Sequence, residues 1–279
     1  MADYDRRNNA AARTAYAKMD AKAWRTADIG PLLLADDFAV VFRKLSPASE
    51  RKPHVDFSMT PERVYAAGPS AFPQLALVAG PMTGVEASER AWLGVRLMAQ
   101  TTAGGTWFNA QSLSVEPADL PAPVVPGPAA QVSDAQLKRF AGVRPALTAY
   151  LEKKKASDRI DTASVEPLRK ELRKPGDSSL ANLTVTCVPF PDNTPGAAAV
   201  WRADAGAIGV LALRCQTYAQ LKDRTTYMKL PERTRAVLGI RDKYPQDFTF
   251  SFLLQTLVTL PESGPAKVIG HSTQQILTR

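Results

Sequence analysis

The sequence predicts an α+β protein assembled from two successive helix-plus-sheet units. Three observations carry that reading. A Pro-rich segment divides the 279 residues near the middle, a long helical segment opens each side of it, and strands separated by turn signals close each side. Helices first and antiparallel strands afterwards is the α+β pattern. At roughly 150 residues per domain the length suits about two domains. Residues 1–120 are read as the first domain, 121–132 as a Pro-rich linker and 133–279 as the second domain.

The divider spans 117–132 and holds Pro117, Pro121, Pro123, Pro126 and Pro128. Each proline removes a backbone donor and pushes its predecessor toward extended geometry, so neither a helix nor a central strand forms there. An extended, semi-rigid connector is the expectation.

In the first half Ala12, Tyr16, Met19 and Ala23 make one apolar stripe at helical spacing, with Trp24 beside it, and Gly30-Pro31 ends the helix. A second, charged helix follows over 32–44. Strands are expected at 74–79, 92–100 and 106–115, the last two joined by Thr102-Ala103-Gly104-Gly105.

In the second half Ser133-Asp134 supplies an N-cap, and Leu137, Phe140, Ala141, Leu147 and Leu151 line one helix face. Lys153, Lys154 and Lys155 fall in its last turn, where cations suit the helix dipole. A shorter helix over 165–174 follows, then strands at 183–190, 197–202, 209–219, 249–260 and 266–277. Tyr16 and Tyr150 lie 134 residues apart, and Pro31-Leu32 and Pro167-Leu168 lie 136 apart, the spacing of a tandem repeat.

Two cysteines are too few for a disulfide scaffold. Cys187 alternates with Leu183 and Val185, and Cys215 with Leu211 and Leu213, so each points at an apolar face. If their strands and the one between them form a simple meander, the cysteines sit ~9.6 Å apart, beyond the ~7 Å reach of a disulfide. Direct pairing of the two cysteine strands permits the bond, and the sequence leaves both arrangements open.

Charge is unevenly spread. Residues 1–125 carry 13 basic and 13 acidic side chains, so the whole net charge of +8 falls in 126–279, with 22 basic against 14 acidic. A charge difference between halves points to an anionic partner for the second, and a net charge of this size also simply favours solubility. Lys153, Lys154, Lys155, Arg169, Lys170, Arg173 and Lys174 are the candidate anion-binding residues. No stacking aromatics accompany them, so base-specific nucleic-acid binding is not expected.

Motifs for chemistry are sparse. Neither G-x-G-x-x-G nor a P-loop occurs, and Gly68-Pro69-Ser70-Ala71-Phe72 fails the nucleophile-elbow pattern at its final glycine. Of the two histidines, His54 reads as an exposed loop residue and His271 as a surface residue of the last strand. The adjacent acids Asp36-Asp37 have no third acid at a helpful metal spacing and read as a solvated or capping pair. Trp24, Trp92, Trp107, Trp201, Tyr16 and Tyr150 read as core filling, with a ligand pocket as the alternative. Asn182-Leu183-Thr184 matches a glycosylation sequon. No catalytic, cofactor-binding or metal-binding residue is assigned, and no window is long and apolar enough for a membrane-spanning helix.

The element order is similar to that of the nuclear-transport-factor-2-like (cystatin-like) cone fold. Tyr4-Asp5-Arg6-Arg7-Asn8-Asn9-Ala10-Ala11, the later Asp28-Ile29-Gly30-Pro31-Leu32, and Leu113-Ser114-Val115-Glu116 ahead of the linker resemble a tandem domain of unknown function found in uncharacterised actinobacterial predicted lipoproteins. The resemblance implies two cone-like domains, each a long and a shorter helix on a curved antiparallel sheet. It implies an export signal or membrane anchor ahead of the matching region, hence an extracytoplasmic, anchored protein, and it implies no activity. The start at Met1 without an apolar segment, taken alone, points instead to the cytosol.

Together these readings favour a non-enzymatic binding or interaction module outside the cytoplasmic membrane, with an anionic cell-envelope component or another envelope protein as partner. One alternative is a carrier or enzyme holding a small apolar ligand in a cone. The other is a cytosolic protein binding nucleic acid through charge.

Overall fold

A computed structural model describes residues 1–66, 72–86, 91–125, 131–174, 180–223, 225–243 and 245–277, without the side chains of 181 and 182. The first half opens with α1 (Ala2–Lys18), a 3-10 segment (Ala21–Thr26) and α2 (Leu32–Leu45). The single helix expected before Gly30 is therefore broken. Met19 turns left-handed (φ 51°) and ends α1, and the Asp20 carboxylate accepts from the Lys22 N–H at 2.9 Å to cap the next turn.

Among the described residues six strands follow: β1 (Ser58–Met59), β2 (Arg63–Ala66), β3 (Gln74–Gly80), β4 (Met82–Thr83), β5 (Leu93–Gln100) and β6 (Trp107–Val115). The four longer ones form an antiparallel sheet in the order β2-β3-β5-β6, while β1 and β4 pair separately. β3, β5 and β6 lie within a residue of the strands expected at 74–79, 92–100 and 106–115, and the shorter strands carry no periodicity long enough to mark them.

The second half opens with α3 (Asp134–Lys153) and α4 (Thr162–Arg173). Ser133 and Gln136 close a reciprocal capping box at the start of α3. The buried face of α3 is Gln136, Phe140, Val143, Leu147, Tyr150 and Leu151, whereas Leu137 and Ala141 stand outside it.

The remaining elements are β7 (Leu180–Pro189), β8 (Ala198–Ala203), β9 (Gly206–Leu221), α5 (Glu232–Leu238), β10 (Asp247–Pro261) and β11 (Lys267–Ile276). Their sheet runs β11-β10-β9-β7, with β8 also against β9. β9 is long enough to serve two partners along one edge, β8 at 206–211 and β7 at 213–221.

That arrangement departs from a simple meander. Cys187 becomes the register partner of Cys215, and the two are joined by a disulfide with Cα atoms 4.0 Å apart. Such bonds persist in oxidising compartments. Among the described residues no helix is long and apolar enough to cross a membrane.

Side-chain alternation along the strands sorts the apolar residues into layers. Leu77, Val95, Leu97 and Leu113 of the first sheet share one core with Trp201, Ile208, Val210 and Leu257 of the second. On the far side of the first sheet, Val78 and Met98 pack under α1 and the 3-10 segment with Tyr4, Ala12 and Trp24. On the far side of the second, Leu213, Cys215, Leu254 and Val258 pack under α3 and α4. The order is helix, sheet, sheet, helix, so the two halves meet through their sheets.

Further contacts join the halves. Leu34 and Ala35 of α2 pack on Leu253 and Ile276 of the second sheet. Gly30, at φ 63°, lies so close to the β7–β8 turn that a Cβ there would meet the Pro195 carbonyl oxygen at 2.2 Å. The linker is ordered at its start: Asp204 N–H donates to the Ala122 carbonyl at 3.1 Å, and Tyr65 and Arg63 bond the carbonyls of Pro121 and Leu120. Its residues 126–130, and the motif at 68–71, lie outside the described residues.

Candidate functional site

The edge strands β6 and β11, one from each half, come together where Gly270 passes the Ser114 carbonyl. A Cβ on Gly270 would meet that oxygen at 2.6 Å. Beside this crossing a cleft of about 530 Å3 opens between the first sheet and α4. Clefts of this size suit small-molecule ligands.

Met82, Trp92, Leu113, Leu168, Val268 and Ile269 give the cleft an apolar body, and Ser112, Ser114, Ser164 and Ser272 add hydroxyls. Among the described residues lining it there is no Lys, Arg, Asp or Glu. His271 stands at its edge with Nε2 3.0 Å from the Glu171 carboxylate. Ser164 is engaged, since its hydroxyl donates to the Asp161 carbonyl at 2.7 Å and accepts from Val268 N–H at 3.1 Å.

Behind the cleft wall lies a buried polar network. Ser112 N–H donates to Gln255 Oε1 of the opposite sheet at 2.7 Å, and its hydroxyl accepts from Asn109 Nδ2 at 2.7 Å. Asn109 Nδ2 also donates to the Tyr4 hydroxyl at 3.3 Å, and that hydroxyl donates to Asp28 at 2.8 Å. Asn109 and Asp28 are held side by side because the turn before α2 pairs with β6: Asn109 N–H donates to Ala27, and Ile29 N–H to Asn109.

Asp28 in turn meets Asp36 of α2. Burial pushes Asp28 up to about 7, against the lowering effect of hydrogen bonds from Tyr4 and Asp36. Asp36 goes well above the usual carboxylate range through burial and the neighbouring Asp28 charge. Two carboxyl groups this close cannot both ionise cheaply, so they hold a proton between them. Burial also raises Tyr4 well above 10, with Asp28 adding to it.

The expectation of a solvated Asp36-Asp37 pair is thus corrected for Asp36. A signal was present, since Asp36 falls midway between Leu32 and Val40, the two buried residues of α2, on one helical stripe. His54 is corrected likewise. Its ring packs beside Tyr16 and Phe57 with Nε2 3.2 Å from Asn9 Oδ1, and burial lowers it from 6.5.

The aromatics divide. Trp24 and Trp201 are core, and Trp201 Nε1 donates to the Leu75 carbonyl at 3.3 Å. Trp92 lines the cleft, and Trp107 lines a second cavity of about 500 Å3 beside Tyr4 and Met98, whose lip carries the Asp3–Arg7 pair. Tyr16 is half-buried against Trp24, and buried Tyr150 donates to Glu166 at 2.7 Å.

The basic residues also divide. Lys154, Arg169 and Lys170 gather round Glu166, which Tyr150 first and then these cations hold below its usual range. Lys153, Lys155 and Lys174 are exposed. Arg173 instead acts as a clamp, donating to the carbonyls of Leu183 and Leu151 at 2.9 and 3.0 Å and to that of Glu152. The side chain of Asn182 in the sequon lies outside the described residues. Among the described residues no three metal-ligating side chains converge. No protein-family model, curated protein or solved structure matches the chain.

Proposed function

We propose that the protein is a non-enzymatic, extracytoplasmic binding protein that holds a small uncharged ligand in the cleft between its halves. The observation that supports this best is the cleft of about 530 Å3 with an apolar body, scattered hydroxyls and no ionised carboxylate or amine among its described lining residues. Binding sites for small molecules are mostly apolar with a few polar groups that fix orientation. The buried Cys187–Cys215 bond supports an oxidising compartment. In this reading each half is a cone-like unit of two helices on a curved sheet, related to the tandem domain of the predicted lipoproteins, with a membrane anchor ahead of the region described.

The test is organic extraction and mass spectrometry of the protein isolated from its own source, compared with Ser114→Trp, which fills the cleft from an exposed position. The expected result is one uncharged compound at about one equivalent in the wild type and its loss in the variant. An empty wild-type protein, or the same compound in both, sinks the proposal.

A second reading keeps the anionic envelope polymer as a partner of the second half. It is supported by the gathering of Lys154, Arg169 and Lys170 round Glu166. Exchanging Lys153, Lys154, Lys170 and Lys174 for Glu should abolish retention on an anionic polymer column at low salt, and unchanged retention ends this reading.

A further inference from the structure

The hydrogen bonds behind the cleft have a direction, and it ends at the cleft wall. Asp28 is 3% exposed and Asn109 1%, so every bond of the chain between them is made inside the protein. A carboxylate only accepts, and a phenol has one proton to give. The Tyr4 hydroxyl gives it to Asp28 at 2.8 Å, and a longer contact of 3.1 Å to Asn8 Oδ1 is the weaker claim on it.

The Tyr4 oxygen is then an acceptor, and it takes one N–H of Asn109 at 3.3 Å. An amide turned the other way would set two lone-pair oxygens against each other. The second N–H of the same amide goes to the Ser112 hydroxyl oxygen at 2.7 Å. Ser112 Oγ therefore receives from inside, and its own proton is left for the cleft that Ser112 lines.

Asp36 keeps this polarity in place. Burial raises both carboxyl groups, and the proton they hold between them leaves Asp28 an oxygen that accepts from Tyr4. The orientation is unusual enough to leave Asn109 Oδ1 buried without a partner.

Resting on the cleft reading above, we propose that Ser112 is the polar specificity residue of the cleft, a hydrogen-bond donor, and that the ligand class is an apolar molecule bearing a neutral accepting oxygen such as a ketone, ester or ether. Tyr4 and Asn109 are positioning residues that act through Ser112. An ammonium group or a plain hydrocarbon gains nothing from this wall.

The proposal is tested with two probes of one shape, benzophenone and diphenylmethane, titrated into the full chain and followed by NMR. A neutral hydrogen bond contributes about 0.5–1.5 kcal/mol, which corresponds to roughly 2–13-fold in affinity. The wild type should bind the ketone tighter by a factor in that range.

Ser112→Ala should bring the two affinities together while leaving that of diphenylmethane in place, a change that mere loosening of the fold would not produce. Tyr4→Phe should narrow the ratio through the freed Asn109 amide. Equal affinities in the wild type, or a ketone preference that survives Ser112→Ala, overturn the assignment and leave the cleft itself standing. If neither probe binds the wild type, the cleft reading falls and this inference with it.

Discussion

Asp5 on the first turn of α1 and Arg96 in the middle of β5 form an ion pair with under a tenth of either side chain exposed. It fastens the helix layer to the first sheet. Asp5 also accepts from Met59 N–H at 3.1 Å, and the Arg96 guanidinium lies over the rings of Tyr4 and Phe57, 4.9 and 5.2 Å from their centroids. Asp5, Asn8 and Asn9 make the buried face of α1 unusually polar for a helix laid on a sheet. Arg96 partners Asp5, Phe57 and His54 partner Asn9, and Asn8 Oδ1 lies 3.1 Å from the Tyr4 hydroxyl.

Removing one member of a buried pair leaves an uncompensated charge, at a cost of about 3–5 kcal/mol. Arg96→Met and Asp5→Leu should each lower the urea-unfolding free energy by about that amount. The double variant should be closer to wild type than the sum of the two. Additive losses would show that the residues act independently.

The shared proton of Asp28 and Asp36 gives stability a particular pH dependence. Asp28 is raised from 3.8 to about 7 and Asp36 is raised well above 3.8, so across that window the folded chain keeps protons on the pair that the unfolded chain releases. Stability associated with the pair is thus present below about pH 4 and is lost as pH rises toward 7 and beyond. Asp3 and Asp223, lowered by Arg7 and Thr225 respectively, act below that window and with the opposite sign. Asp36→Asn can still donate to Asp28 and has no proton to lose. Urea unfolding at pH 5 and pH 8 should show a smaller loss in the variant than in the wild type, and equal losses would contradict the shared proton.

Cys187 and Cys215 close a loop with a sequence separation of 28. Chain entropy assigns a bond of that span roughly 3.5 kcal/mol. Full reduction, or replacement of both cysteines by Ala, should lower unfolding free energy by about 2–4 kcal/mol, measured by denaturant titration. No change on reduction would mean that β7 is held by the sheet and α3 alone.

α5 is fastened to the first half by Arg233, which bonds Glu50, donates to Ser46 Oγ at 3.2 Å and lies 4.7 Å from the centre of the Phe42 ring. Because these groups are partly exposed, Arg233→Ala should cost at most about 1 kcal/mol overall. Amide exchange in α5 should nevertheless accelerate by several-fold. Unchanged exchange would assign the docking of α5 to its apolar contacts.

Local signals carried much of the fold. Ser133-Asp134 marks the start of α3, and the segments 92–100 and 106–115 read directly as strands. The candidate site was far less legible, because it is made by non-local pairing. Asp28 and Asp36 meet only because Gly30 reverses the chain between them, and Asn109 joins them only because β6 bridges to that turn. Alternation pointed each cysteine at an apolar face, but the bond depends on β9 being long enough to carry β8 and β7 end to end. Nor could periodicity anticipate the cleft, which lies between two edges more than 150 residues apart in the chain. The buried network does have a trace in the sequence, the polar residues Asp5, Asn8 and Asp36 on faces that α1 and α2 turn inward, but the Asp36-Asp37 pair read as solvated or capping.

The most direct test of the central claim is an amide NMR titration of the full chain with diphenylmethane, wild type against Ser114→Trp. Saturable shifts are expected in β6, α4 and β11 of the wild type and are expected to be absent in the variant. Shifts confined to the cavity beside Tyr4 and Trp107, or no saturable shift at all, would contradict it.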